Sequence, residues 1–415
     1  MLVPPLLREN PRFRRFWLGQ SISLLGDQVT VIALPLVAVL VLDATPAQMG
    51  YLFAVELAPN LLFSLHAGAW VDRRGRKRQL MIATDLGRAL ALGSIPVAYA
   101  FDALTFPHML AVGFVMGTLS VLFYVSYSSL FVALVPRDRF VEGSSIINGS
   151  RALSYVGGPS VGGALVQALS APATLVVDTF SYIVSALCLR SVDVEEPAAE
   201  APGKGHVVAG IRWVFGNPIV RAALGATATI NFFNFVFFAL FILYATRSLD
   251  VTPGTLGLVL GAGAAGGVLG SLVTGRISRR IGIGPAFALG CVLFPAPLLL
   301  VPLAGGPKPV VLACLFLAEF GAGFGVMVLD ISAAAISAAI VPDRLRSRAS
   351  GAYMVVNYGV RPLGALVGGA LGSWLGLRPT LWIATAGALA GFLWLLPSPI
   401  LGLRTLPEAE LGETG

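Results

Sequence analysis

Apolar runs of about twenty residues or more follow one another from residue 17 to residue 397, separated by short polar or basic stretches. A helix rises about 1.5 Å per residue and needs roughly 20 apolar residues to cross the hydrocarbon of a bilayer. The runs therefore predict twelve spanning helices, over residues 17–41, 47–71, 79–101, 107–134, 144–169, 172–190, 219–246, 254–275, 283–303, 309–338, 348–374 and 378–397. The fold class expected is an all-α membrane protein of twelve transmembrane helices in two six-helix halves. The first run is too long for a signal-peptide core, and no small-residue cleavage site follows the basic stretch before it, so it is expected to remain as the first span.

The pattern of basic residues orients these spans. Most of the 28 Lys and Arg residues fall before the first span, in the even-numbered loops and after the last span. The odd-numbered loops hold only Arg247, Lys308 and Arg378, and Arg88, Arg151 and Arg361 lie inside spans. The positive-inside rule then places both termini in the cytoplasm. Composition agrees with the class. Hydrophobic residues make up 56% of the chain and charged residues 12%, where a soluble domain carries about a quarter of its residues as charges. Mean hydropathy is +0.83. The formal charge of +7 follows from topology, and no basic patch with interleaved aromatics points to nucleic acid.

The chain repeats itself. Gly68 to Arg78 reads GAWVDRRGRKR, and the frame returns 207 positions later from Gly275 to Gly282; Val135-Pro136 returns at Val341-Pro342, and Gly162-Gly163 at Gly368-Gly369. Two six-helix copies cross an even number of times each, so they share an orientation and are related by an axis along the membrane normal. The domains expected are an N-terminal bundle over 1–190, a cytoplasmic linker over 191–218, a C-terminal bundle over 219–397 and a cytoplasmic tail over 398–415. The linker assignment rests on the polar, proline-bearing stretch from Asp193 to Lys204, with a short surface helix expected over 210–218. Cys188, Cys291 and Cys314 all fall inside spans and His66, His108 and His206 are scattered, so neither a disulfide framework nor a metal site is expected.

These motifs resemble those of the major facilitator superfamily. Gly68, Asp72, Arg73, Gly75, Arg76 and Lys77 are similar to its loop 2–3 signature, and Gly149 with Gly158, Pro159, Gly162 and Gly163 resembles its antiporter signature. The finer pattern is similar to the bacterial drug and siderophore exporters of that superfamily, the macrolide efflux and enterobactin exporter type. It rests on Phe16 to Gln20 with Gly26-Asp27, on Val177-Asp178 and on the stretch from Pro342 to Arg348. The resemblance implies alternating access. It implies that Asp72 acts as a latch against the positive N-terminal end of the span beginning near Ser347, with Arg73 and Arg76 alongside. A plainer role for those arginines is to set topology at the headgroups. In the second copy Arg279 stands where Asp72 stands in the first, so the latch is expected on one side only. In span 5 the glycines around Pro159 allow close helix approach and a bend, as a rocking seam needs and as ordinary packing also uses.

Ionisable groups within spans are the sharpest clues, since an unpaired charge at the bilayer centre costs at least a few kcal/mol. Asp27, Glu56 and Glu319 lie near mid-depth of their spans, and Arg151 and Arg361, in equivalent spans, are the cations expected to serve them. The resemblance puts Asp27 and Glu319 at the central cavity and Glu56, Arg151 and Arg361 at its walls. A carboxyl in a poorly hydrated cavity can hold a proton and release it to water or a cation, which is what proton antiport requires. A permanent structural ion pair with Arg151 is the competing role. Asp178 and Arg88 belong to peripheral spans and are expected to form a structural pair or to snorkel, and Asp85 and Asp330 are expected at the interface. One departure from the resemblance is that span 4 lacks the arginine many such exporters carry there.

The remaining cavity surface is aromatic and lightly polar. Tyr124 and Tyr127 in span 4, and Asn231 and Asn234 in span 7, the two amides marking one inner face, suit an amphipathic substrate better than a sugar. The expectation is a monomeric exporter of drug, antibiotic or siderophore class driven by proton entry, in a bacterial inner membrane. A facilitator, an importer or a ligand sensor of the same fold are the alternatives. No nucleophile–base constellation indicates an enzyme, no cofactor is expected beyond the proton gradient, and the partners are substrate, protons and lipid.

Overall fold

The computed structural model describes residues 4–194, 215–341 and 346–404, except the side chains of 64, 65, 69, 72, 74, 346–350 and 352. Most of the expected linker and tail lie outside the described residues. No strand occurs among those described. A short helix α1, Pro5–Glu9, precedes α2 Pro11–Leu40, α3 Pro46–Arg74, α4 Lys77–Ala100, α5 Phe106–Leu134, α6 Phe140–Leu169 and α7 Ala171–Arg190. After the interval come α8 Pro218–Arg247, α9 Pro253–Ile281, α10 Ile283–Leu293, the single turn α11 Leu300–Leu303, α12 Lys308–Ile340, α13 Arg346–Leu375 and α14 Leu377–Ala390. Among the described residues, eight segments are long and apolar enough to cross a membrane, the one over Ile283–Leu303 counted as a unit. Helices α3, α6 and α13 match them in length but carry more polar residues.

Local chemistry explains the helix starts. The Asn10 side chain accepts from the Phe13 N–H at 2.9 Å, and Thr45 and Gln48 form a reciprocal capping box, each start being followed by proline in the first turn. Helix α3 stops at Gly75, whose φ of 62° is open to glycine at little cost. Two expected spans are broken. The run over 283–303 leaves the α conformation after Leu293, because Pro295 and Pro297 withhold backbone donors; it resumes as a 3₁₀ turn and α11. The last run changes at Gly391 to a 3₁₀ turn ending at Leu395.

The described chain forms two compact units: residues 4–194 with 245–261, and residues 215–244 with 262–404. In the first unit, α2 packs against α6 and α7, α4 against α5 and α7, and α3 against α5. Helix α1 is pinned to the α5–α6 turn. Glu142 accepts from the Leu6 N–H at 2.8 Å, Arg139 pairs with Glu9 at 2.7 Å and with Glu142 at 2.8 Å, and Leu6 and Leu7 bury against Phe13 and Phe16. In the second unit, α10 packs against α12, and Phe287 and Cys291 bury with Ile230 of α8.

The repeat reappears in the backbone. Asp43 and Asp250, 207 positions apart, both take the left-handed conformation at φ 49° just past α2 and α8. A Cβ at Gly117 would overlap the carbonyl of Glu56, and a Cβ at Gly323, 206 positions on, would overlap that of Gly263. Each unit therefore holds the same close helix crossing, α3 on α5 in one and α9 on α12 in the other.

Candidate functional site

The first unit gathers its buried charges where α2, α4 and α7 meet. Gly26 lies against α7 so closely that a Cβ there would overlap Asp178 and Ser181, which lets the next residue, Asp27, reach the same helix. The Tyr182 hydroxyl donates to Asp27 Oδ1 at 2.5 Å, and Arg88 Nη1 lies 3.9 Å from that oxygen. Arg88 bonds directly to Asp85, one turn earlier on α4, and both side chains are almost wholly buried. The guanidinium is flanked by Phe123 and Tyr182, each ring centroid 4.3 Å away. Thr30 and Ser181 donate to the two oxygens of Asp178. Asp85 Oδ2 and Arg88 Nε are buried without a hydrogen-bond partner among the described residues.

This arrangement corrects three expectations. Arg88 does not snorkel to a surface but is buried as the cation beside Asp27. Asp85, expected at the interface, is fully buried within the unit and bonded to Arg88 rather than exposed. Asp178 is tied to Thr30 and Ser181 rather than paired with Arg88. The cause is azimuth: α4 and α7 turn these residues toward α2. Asp85 and Arg88, spaced i to i+3 in an otherwise apolar run, were the available signal.

Asp27 remains the accessible member of the group, its side chain 26% exposed. It opens on a crevice of about 10 Å³, room for one water, shared with Gln20, Tyr124, Tyr127, Arg88 and Arg151. Arg151 makes no ion pair with a described residue, so the competing structural pair with Asp27 is absent here.

Glu56 and Glu319 are placed differently. Glu56 on α3 faces Gly113 and Gly117 of α5, and Glu319 on α12 faces Gly263 of α9, its Oε2 3.2 Å from where a Cβ would stand. By the repeat, Gly263 is the counterpart of Glu56 and Gly113 that of Glu319. One helix crossing thus carries a carboxyl in each unit, on opposite members of the pair. Neither has an ion-pair or hydrogen-bond partner among the described residues.

In the second unit Arg361, Asn231 and Asp330 line a cavity of about 460 Å³ with Thr227, Ser337, Tyr353, Asn357 and Tyr358. Asp330, expected at the interface, opens into this cavity. Arg361 Nε donates to Asn231 Oδ1 at 3.1 Å, and Asn231 donates to the Thr227 carbonyl at 2.9 Å and to Asn357 at 3.1 Å. Asn234 does not share that face. It lines a separate 10 Å³ crevice with Phe233, Phe237 and Phe294. Residues three apart differ by about 60° around a helix, enough here to divide the two amides between two surfaces.

The two motifs are partly visible. Gly75 ends α3 and Arg73 and Arg76 are exposed, while a Cβ at Gly68 would meet no neighbour within 4 Å among the described residues. The side chains of Asp72 and of residues 346–350, where its expected partner lies, are outside the description. On α6 a Cβ at Gly158 would overlap Gln28, one at Gly162 would sit 3.1 Å from Val29 Cα, and one at Gly163 would overlap the Pro253 carbonyl. Pro159 is buried, and a Cβ at Gly149 would meet no neighbour within 4 Å among the described residues.

Comparison with known proteins adds a frame. The family model described as Major Facilitator Superfamily matches residues 16–358 and 224–413. The Bacillus subtilis protein named uncharacterized MFS-type transporter YfiS is 25% identical over 99% of this chain and 96% of its own. The multidrug efflux pump Tap of Mycolicibacterium fortuitum is 25% identical over 86% of this chain and 88% of its own. Among solved structures, a bacterial homologue of the iron transporter ferroportin superposes with a TM-score of 0.71 at 16% identity, covering 97% of this chain and all of the other.

Proposed function

Since the chain belongs to the major facilitator superfamily, a family of membrane transporters, we propose that it exports amphipathic small molecules in exchange for protons, with Asp27 as the carboxyl that takes and releases the proton. The observation carrying this reading is the position of Asp27, at the water-sized crevice on one side and 3.9 Å from a buried guanidinium on the other. Three carboxyls and one guanidinium meet there. Were all ionised, two negative charges would stand uncompensated in a low-dielectric interior, a state that protons relieve. Asp85 already holds Arg88, and Asp178 is satisfied by two hydroxyls, so Asp27 is the member free to exchange with water.

In this reading a proton on Asp27 weakens its hold on Arg88, leaving the guanidinium to Asp85. Deprotonation draws it back across the 3.9 Å gap, and α2 and α4 adjust together. The close approach of the α6 glycines to α2 supplies a surface with few side chains to clear. The resemblance to a multidrug efflux pump supports export. The basic-residue pattern supports cytoplasmic termini in a bacterial inner membrane. Arg151, Tyr124 and Tyr127 are the groups beside Asp27 that a substrate or water meets, and Glu56 and Glu319 are further proton carriers in this scheme.

The test is proton movement in proteoliposomes holding a pH gradient, on addition of macrolides, siderophores and lipophilic cations. Substrate-dependent collapse of the gradient is expected for the native chain. Asp27→Asn should lose it while still binding substrate. Substrate movement with no proton flux in either protein would make the chain a facilitator and overturn antiport.

A further inference from the structure

The cavity of the second unit carries a chemical preference of its own. Arg361 is held as a preformed receptor: its Nε is fixed by Asn231, and its guanidinium carbon lies 4.2 Å from the Tyr358 ring centroid and 5.3 Å from that of Phe235. Asn231 is anchored in turn by Thr227 and Asn357. Asn357 donates to the Tyr353 carbonyl at 3.2 Å, and the Tyr353 hydroxyl donates to Thr227 at 3.0 Å. This chain fixes the plane of the guanidinium and leaves its terminal Nη groups without an ion-pair or hydrogen-bond partner among the described residues. Asp330 shares the cavity but forms no ion pair with Arg361 within 4.0 Å. Ala223, Leu329, Ala333 and Met354 give the rest of the wall an apolar character.

We propose that this cavity binds amphipathic organic acids, a carboxylate or similar planar anionic group seated on the Nη edge of Arg361 and the apolar body against α8, α12 and α13. A planar fork with two free donors matches a carboxylate bidentately, and stacking on aromatic rings keeps it in place without neutralising it. A volume of about 460 Å³ suits a drug-sized body. A permanent cation gains nothing from Arg361 and meets its repulsion. The inference rests on the reading of the chain as an exporter whose cavity receives substrate, and narrows that substrate from amphipathic molecules in general to acids.

The experiment compares two probes of one ring system and opposite charge, 1-naphthaleneacetate and 1-naphthylmethylamine, by equilibrium dialysis against the full chain in lipid nanodiscs, with empty nanodiscs subtracted. The native chain is expected to hold the acid at least tenfold tighter than the amine. Arg361→Gln should abolish that preference, Arg361→Lys should keep part of it, and Asp330→Asn should leave it intact or raise it. Equal binding of the two probes, preference for the amine, an unchanged preference in Arg361→Gln, or no binding of either probe at millimolar concentration overturns the proposal. If Arg361→Gln does not fold, Asn231→Ala serves instead: it keeps the Arg361 charge while removing the hold on Nε together with the bonds to Thr227 and Asn357, and is expected to weaken acid binding several-fold, no change being the contrary result. Proton flux in proteoliposomes separates the two readings. Arg361-dependent acid binding without transport would sink the export reading and leave this one, whereas export of the amine unaffected by Arg361→Gln would do the reverse.

Discussion

Arg88 holds the first unit's charge cluster together, and its removal is predicted to be expensive. Arg88→Gln leaves Asp85 buried without its ionic partner, a change that costs about 3–5 kcal/mol when one member of a buried pair is lost. Arg88→Gln combined with Asp85→Asn removes both charges and should recover most of that loss. Thermal unfolding of the purified chain in detergent measures both, and an Arg88→Gln protein as stable as the native one would show that the pair does not support the fold. At this scale the sequence revealed depth but not azimuth. Asp27 was legible because an aspartate ten residues into an apolar run has few explanations. The facing of Arg88 was not, because its i to i+3 spacing from Asp85 signals a pair on one helix but not the neighbour that the pair faces. The same limit divided Asn231 from Asn234, although their spacing suggested a shared face.

Between elements, the glycines are not equivalent, and the structure separates those that carry a crossing from those that do not. Gly117 and Gly323 lie on the carbonyls of Glu56 and Gly263, where a methyl group has no room and the obstacle is backbone. Gly117→Ala and Gly323→Ala should each cost about 1–3 kcal/mol through forced separation of the helices. Gly149 sits in the same antiporter-like motif as Gly158, but a Cβ there would meet no described neighbour within 4 Å, so Gly149→Ala should be neutral or stabilise α6 by about 0.5–1 kcal/mol through the helix propensity of alanine. Unfolding midpoints of the three variants provide the check, and a Gly149→Ala loss as large as that of Gly117→Ala would contradict it. The helices themselves were readable because the bilayer demands a minimum apolar length. The break after Leu293 was also written in the sequence, as Pro295 and Pro297, but apolarity alone hides it, since both broken and intact segments are equally greasy.

Over the whole molecule, the repeat and the charge asymmetry make a prediction that does not depend on any site. The short connections near Asp43, Asp102, Asp250 and Gly305 hold few basic residues, whereas those near Arg76, Arg137 and Arg279 are rich in them. The positive-inside rule puts the second group in the cytoplasm. Cys188, Cys291 and Cys314 all lie within helices or their packed surfaces, and their replacement by serine or alanine gives a background for single new cysteines. Ala103 and Gly305 are exposed, neither at a strained backbone position, and Asp138 is exposed in the turn before α6. A membrane-impermeant maleimide added to intact cells should therefore label Ala103→Cys and Gly305→Cys and spare Asp138→Cys, which should react only after permeabilisation. Because the two new external sites fall in different units, agreement between them also tests the relation between the halves. Two copies with an even number of crossings must present corresponding loops on one side, and an odd number would set Ala103 and Gly305 on opposite sides. Labelling of one and not the other would mean that a broken segment, the 283–303 run first among them, fails to cross.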